Sequence, residues 1–348
     1  MRPRFTLAKI CVGLAAFVAM PCVTLAASDG PPDKVTRWTF QPAFDSGDAG
    51  WARGLIPWVK AVEEATQGTV KIRVEPAGAL TSGSEAFGAA AAGMTDGYAG
   101  WATVYGGEMP EGMLAYGMAM GAESPEQAWE AMWGEKYRIG DLVQEAAHER
   151  NLHWAGWTDQ GNNAMFTTFP VHKWEDLKGK KMRAGGPQAL FHETMGGSPV
   201  SMDAGDIYTA IKLGTIEGTY WDTGGIKDMH FHEIVKYAIM PGWNPAQHQE
   251  IFINLDKWNE LTPWQQKQIE GVFKDTYFET SKLHNDAVED SLKALTDAGG
   301  EIITMSDEEM ARMREKAIAE VWPKVAAQSK RNAEGVERWA KFLEDQKK

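Results

Sequence analysis

The chain reads as an α/β protein of two lobes, each a mainly parallel sheet flanked by helices. Three observations predict this. Its first hundred residues alternate strand and helix patterns in βαβαβ order, and a second alternating stretch follows Leu152. The length of 348 residues is enough for two lobes of ordinary domain size. Strands that alternate with helices in this way form parallel sheets covered on their faces.

Each element has its own signal. Val35 to Phe40 reads as a strand, and Trp51 to Thr66 as a helix with Leu55, Trp58, Val59 and Val62 at helical spacing and Gly68 ending it. Val70, Ile72 and Val74 alternate as a half-buried strand. Ser82 with Glu85 forms a capping box for a helix reaching Gly93, and Asp96 to Trp101 is the third strand. Ser124-Pro125-Glu126-Gln127 opens a helix expected to run to about Glu149. Strands are expected at Leu152 to Trp157, around Phe166, and at Lys180 to Ala184, Val200 to Met202, Thr215 to Trp221 and Glu250 to Asn254. Helices are expected at Pro187 to Met195 and Gly205 to Leu213. Thr262-Pro263-Trp264-Gln265 opens a very long helical stretch to about Ala298, able to cross both lobes as a brace. Ser306 caps the last helical region, which Pro323 interrupts.

The N-terminus carries Arg2, Arg4 and Lys9, an apolar run from Ile10 to Met20, and small residues Thr24 to Ala27, the pattern of a cleaved signal peptide over residues 1–27. The run is too short for a stable membrane span. Both cysteines, Cys11 and Cys22, lie inside it, so the mature chain has no disulfide, thiolate nucleophile or Cys-ligated metal. Loss of Arg2, Arg4 and Lys9 takes the net charge from −13 to −16. So acidic a surface repels nucleic acid and anionic membrane, and no direct membrane insertion is expected after cleavage. Anion binding remains open, because it depends on local charge in a cleft. HExxH, GxSxG, phosphate-cradling glycine loops and EF-hand loops are absent. His230 and His232 are read as surface histidines on one face of a strand, with no third donor at a metal spacing.

The most informative stretch is Asp176-Leu177-Lys178-Gly179-Lys180-Lys181-Met182-Arg183-Ala184-Gly185-Gly186. Alternation puts Met182 and Arg183 on opposite faces of a short strand, and the two glycines allow a sharp turn before the next helix. An arginine at a strand end can hold a carboxylate through two charge-assisted hydrogen bonds, or pair with a surface acid. Gly197-Ser198-Pro199-Val200 follows, then Asp206-Ile207-Tyr208-Thr209-Ala210-Ile211-Lys212-Leu213-Gly214-Thr215-Ile216-Glu217-Gly218, and later Ile253-Asn254-Leu255-Asp256-Lys257-Trp258-Asn259-Glu260-Leu261. Near the N-terminus stands Pro76-Ala77-Gly78-Ala79-Leu80.

In their order and spacing these segments resemble the substrate-binding subunits of TRAP (tripartite ATP-independent periplasmic) transporters, over about residues 35–290. The resemblance implies a two-lobed periplasmic binding protein, a Venus flytrap, with a long lobe-bridging helix. Lobe I is expected at 28–157 and 223–262, and lobe II at 158–222 and 263–348. It implies capture of a small organic acid in the cleft and delivery to the membrane subunits of a TRAP importer. The arginine of the family's Lys-x-Arg strand, which clamps the ligand carboxylate, matches Arg183. Trp221, in Tyr220-Trp221-Asp222-Thr223-Gly224-Gly225, resembles the tryptophan that touches the ligand in the branch binding keto and hydroxy acids. Part of that branch holds a metal ion through an acidic residue before this tryptophan. Here that residue is Tyr220, a poor ligand for a hard cation. No cofactor is therefore expected, and Asp222 is the nearest substitute should a metal bind. Gln160, Asn162 and Asn163 follow a crossing strand and are either ligand amides or turn formers. Trp101 and Trp243 complete the candidate set, with ordinary packing as the alternative for them and for Trp221. A binding subunit of an ATP-driven importer, a chemosensor and a periplasmic enzyme are the rival readings. The last would need a nucleophile or base in the cleft.

Overall fold

Two sheets organise the chain, and in the computed structural model residues 30–347, other than Gly106 and Pro245, are described. The expected signal peptide lies outside them. The first sheet holds β1 (Thr36–Phe40), β2 (Val70–Val74), β3 (Gly97–Gly100), β4 (Leu152–Asp159) and β10 (His248–Asn254), in the order β2-β1-β3-β10-β4. The second holds β5 (Asn163–Thr167), β6 (Lys181–Arg183), β7 (Ser198–Val200), β8 (Gly218–Asp222), β9 (Tyr237–Asn244) and β11 (Glu301–Thr304), in the order β11-β9-β5-β8-β6-β7. The βαβαβ opening is present, with β1 parallel to both β2 and β3. Both sheets are mixed rather than mainly parallel. β10 runs antiparallel to β3 and β4, and β5 antiparallel to β8 and β9.

Those antiparallel strands are the ones that join the lobes. β4 leaves the first sheet and continues as β5 in the second, while β9 returns as β10. The crossings lie side by side: Gln160 N donates to the Gln247 carbonyl at 2.8 Å. Asp159 pairs with His248 on one side and Asn163 with Asn244 on the other. Only an antiparallel ribbon lets a chain go out and come back through one place, which explains the departure from parallel order. It also moves a boundary. Residues 237–244, expected in lobe I, form β9 within the second sheet, so the chain returns to the first sheet only after Asn244.

The long helix begins where the sequence signals it. Thr262 Oγ1 accepts from Gln265 N and the Gln265 side chain accepts from Thr262 N. It runs Pro263–Asp286, breaks at Ala287 and resumes as Val288–Asp297. Gln265 Nε2 reaches Thr69 near the first sheet, and Ser291 Oγ donates to the Gly224 carbonyl beside the second, so the helical stretch braces both. The helix expected from Pro125 to Glu149 is two, Pro125–Trp133 and Ile139–His148, parted at Gly134 and the left-handed Arg138. The C-terminal region does not belong to lobe II alone. Helix Lys330–Gln346 donates from Asn332 to the Pro110 carbonyl and from Arg338 to the Tyr137 carbonyl, both on the lobe I side.

One large apolar cluster spans β3, β4 and the helices 112–148, and continues through Met165, Tyr220 and Trp243 to the C-terminal helices. A second lies between β1, β2 and Trp58, and a third beneath β5 and β8, with Ile207 and Ile211.

Candidate functional site

Arg183 ends β6, and the chain then turns through Gly185 and Gly186 into helix Gly186–Thr194. Gly186 has φ +52°, and a Cβ there would stand 3.2 Å from the Thr103 side chain across the cleft. Glycine thus supplies both the left-handed turn and the close approach of the lobes. Arg183 pairs in register with Thr219 of β8, which puts it on the same face as Trp221, two residues on. The guanidinium lies 5.4 Å from the Trp221 ring centre, a cation–π contact. Its Nη1 donates to Gln188 Oε1 at 3.3 Å. Its Nε is buried with no hydrogen-bond partner, and among the described residues no carboxylate pairs with it directly, although Asp203 and Asp48 act on it electrostatically. Burial pulls its pKa below the ordinary arginine value. A largely desolvated cation with no directly paired carboxylate carries a desolvation cost that a bound anion offsets.

Around this cation the lobes meet. Gln188 Nε2 donates to Tyr116 Oη of lobe I at 3.1 Å. Burial raises the Tyr116 phenol well above the usual range, so it stays a neutral hydroxyl. Asp48, on the loop after β1, is pushed up to about 6, mainly by burial, with the negative charge of Asp222 adding to it. Arg53 Nη2 and Asp228 Oδ2 form an ion pair between the lobes at 2.9 Å. Asp48 and Gln188 went unnoticed in the sequence. A usable signal existed for both: Asp48 follows the carboxyl end of a parallel strand and Gln188 sits in the first turn of a helix after one, the places where ligands of open α/β sheets collect.

The other expected residues divide. Trp221 faces the cation and packs edge-on against Phe231 at 5.5 Å. Gln160 Oε1 accepts from Trp101 Nε1 at 2.8 Å and from Gln247 Nε2 at 2.7 Å, so Gln160 and Trp101 tie the crossing to lobe I. Asn162 presents a buried Oδ1 with no partner, and its carbonyl accepts from Thr223. Asp222 likewise keeps a buried, unpartnered Oδ1, 3.6 Å from His284 Nδ1. Asn163, Tyr220 and Trp243 turn elsewhere. Asn163 Oδ1 accepts from Trp243 Nε1 at 2.5 Å. Trp243 packs on Phe191 and Tyr220, and the Tyr220 hydroxyl meets His192 Nδ1 at 2.9 Å. Strand alternation is the reason: Tyr220 points to the face opposite Trp221, into the core. Tyr220 is therefore no candidate ligand for a hard cation, whereas Asp222 and Asn162 each present a side-chain oxygen without a hydrogen bond, the kind of donor a hard cation takes.

The model of the bacterial extracellular solute-binding protein family 7 matches residues 48–329. The chain is 23% identical over 358 aligned residues to a monocarboxylate 2-oxoacid-binding periplasmic protein of Nostoc sp., covering 98% of this chain and 94% of that one. Its fold is similar to a TRAP transporter solute-binding protein from Bordetella bronchiseptica with copurified calcium and picolinate, at TM-score 0.80 and 20% identity, covering 90% of this chain and 93% of that one. It is also similar to a TRAP periplasmic solute-binding protein from Pseudoalteromonas atlantica with bound sodium and pyruvate, at TM-score 0.78 and 20% identity, covering 90% and 95%. With the family model spanning most of its length, the chain belongs to bacterial extracellular solute-binding protein family 7, the substrate-binding subunits of TRAP transporters.

Proposed function

We propose that this protein is a periplasmic receptor for a small monocarboxylate, which it captures between its lobes for a TRAP importer without chemical change. The observation that carries this reading is the Arg183 guanidinium: half-buried with an unpartnered Nε, stacked on Trp221 and without a carboxylate in direct contact. A ligand carboxylate supplies that partner through the arginine fork. Trp221 forms an apolar wall, and Gln188 orients the guanidinium and links it to Tyr116. Closure excludes water and strengthens each charge-assisted contact. The 2-oxoacid named for the Nostoc relative and the pyruvate of the Pseudoalteromonas structure point to a 2-oxoacid as the first candidate. A hard cation of the kind those solved structures contain would find its nearest carboxylate in Asp222, and would neutralise acceptor oxygens on the ligand.

Calorimetry with a panel of 2-oxo and 2-hydroxy monocarboxylates tests the reading, with each methyl ester as its control. One free acid is expected to bind at one equivalent and its ester not to bind. The bound acid is expected back unchanged after hours at stoichiometric protein. Equal binding of acid and ester removes the carboxylate clamp, and multiple turnovers make the protein an enzyme.

The Arg53–Asp228 pair predicts a smaller effect on the same assay. It is partly exposed, and pairs of that kind contribute about 0.2–1 kcal/mol. Arg53→Gln is therefore expected to weaken ligand binding by a factor of at most about five, mostly through faster release. An unchanged dissociation rate would mean that the pair does not hold the lobes together.

A further inference from the structure

The histidines expected on a strand lie instead on a tight turn. Phe231–Glu233 is a single 3-10 turn, entered through His230 at φ +55°. A strand would have displayed His230 and His232 alone. The turn adds Glu233, and one donor atom from each of the three residues lies within 4.8 Å of the other two. His230 Nδ1 stands 3.4 Å from Glu233 Oε1. Two donors about 2.0–2.2 Å from one tetrahedral zinc ion stand roughly 3.3–3.5 Å apart, the spacing seen here before any metal is added. Glu233 is held in place from outside the set: Tyr208 Oη donates to its other oxygen, Oε2, at 2.8 Å. Ligating carboxylates carry this kind of supporting hydrogen bond. His232 Nδ1 is buried and has no partner. Phe231, between the histidines, is fully buried against Trp221 and anchors the turn to the second sheet.

We propose that His230, His232 and Glu233 form a surface site for a borderline divalent transition metal, with zinc as the best fit. Two imidazoles and one carboxylate favour zinc, copper or nickel over calcium, magnesium or sodium. The site is distinct from any hard cation at Asp222: its donors are nitrogen-rich and lie on the outer turn. His230 and Glu233 are solvent-exposed, which leaves room for water or another ligand at the fourth position.

The test uses untagged mature protein stripped with a chelator. Zinc is titrated in competition with a chromophoric indicator, and cobalt(II) is added separately to read tetrahedral geometry from its visible absorption. One tight equivalent of zinc and a tetrahedral cobalt spectrum are expected. His230→Ala/His232→Ala and, separately, Glu233→Gln are expected to weaken zinc by at least about tenfold. Zinc should raise the melting temperature of the wild type and not of the variants. The histidines His148 and His153, whose ring nitrogens lie 3.2 Å apart, provide the control, and His148→Gln should leave zinc binding unchanged. Unchanged zinc affinity in the double-histidine variant, or loss of the site in His148→Gln, overturns the proposal. The exposed positions make misfolding of Glu233→Gln a remote cause of failure, and the melting curve without metal checks it.

Discussion

Arg183→Ala is expected to weaken binding of the cognate acid by roughly thirty- to several-thousand-fold. Truncating one partner of a desolvated, hydrogen-bonded charge pair costs about 2–5 kcal/mol, and each 1.4 kcal/mol is about tenfold in affinity. The upper half of that range is favoured here. Among the described residues no other arginine or lysine takes Gln188 as a partner or stacks on Trp221, so no neighbouring cation replaces the lost charge. Arg183→Lys should also bind weakly, since an ammonium keeps the charge but loses the planar fork and its stacking. The unliganded protein should melt at the same temperature or higher. Removing a cation that has no carboxylate partner relieves a desolvation cost without breaking an ion pair. Calorimetry with the acid selected by the panel, beside melting curves without ligand, checks both statements. Unchanged affinity would take Arg183 out of the site. A collapse of the unliganded melting temperature would make it a structural residue of lobe II.

Glu250→Gln is expected to stabilise the protein at neutral pH and to flatten its pH dependence. Glu250 is fully buried in β10, where its Oε2 accepts from Ala102 N and its Oε1 has no partner. Burial pushes its pKa up to about 8 from an ordinary 4.5. Below the unfolded value both states are protonated and the group costs nothing. As pH rises from there towards the folded value, the unfolded chain releases its proton while the native protein keeps it. Stability therefore falls with rising pH across that window. By pH 7 the loss is roughly 3 kcal/mol from this one carboxyl. Asp48 and Asp159, each held at about 6 chiefly by burial, push in the same direction between their ordinary value and pH 6. The readout is the difference between wild type and variant, because the buried His153 and His248, held neutral by burial, lower the stability of both proteins alike as pH falls below the ordinary histidine range. Glutamine retains the acceptor for Ala102 N and has no proton to lose, so the variant's curve should be shallower and higher at pH 8. Parallel curves for the two proteins would show that Glu250 ionises in the folded state at no cost.

Local signals read well wherever the cause is local. The capping box at Thr262, the serine caps at Ser124 and Ser306, and the alternation of Val70 and Ile72 with exposed Lys71 and Arg73 each depend on residues within one turn or one strand of one another. Reading Arg183 against Met182 needed only the two-residue period of a strand, and so did the face of Trp221. That same period, applied one residue earlier, would have sent Tyr220 to the core, as His192 and Trp243 confirm.

What the amino-acid order determined by itself was the α/β alternation, the long brace and an arginine poised at a strand end, because propensity, capping and periodicity act over a few residues. The tertiary structure alone decided that the strands through the crossings run antiparallel, since strand direction depends on which distant segments pair. It alone left the Arg183 Nε without a partner and brought Asp48, Gln188 and Tyr116 around it. It alone folded His230, His232 and Glu233 onto one turn. The physical reason is common to all three. Burial and charge pairing depend on which surfaces meet, and Arg183 of the second sheet meets Asp48 and Tyr116 of the first lobe only once the two lobes close on each other.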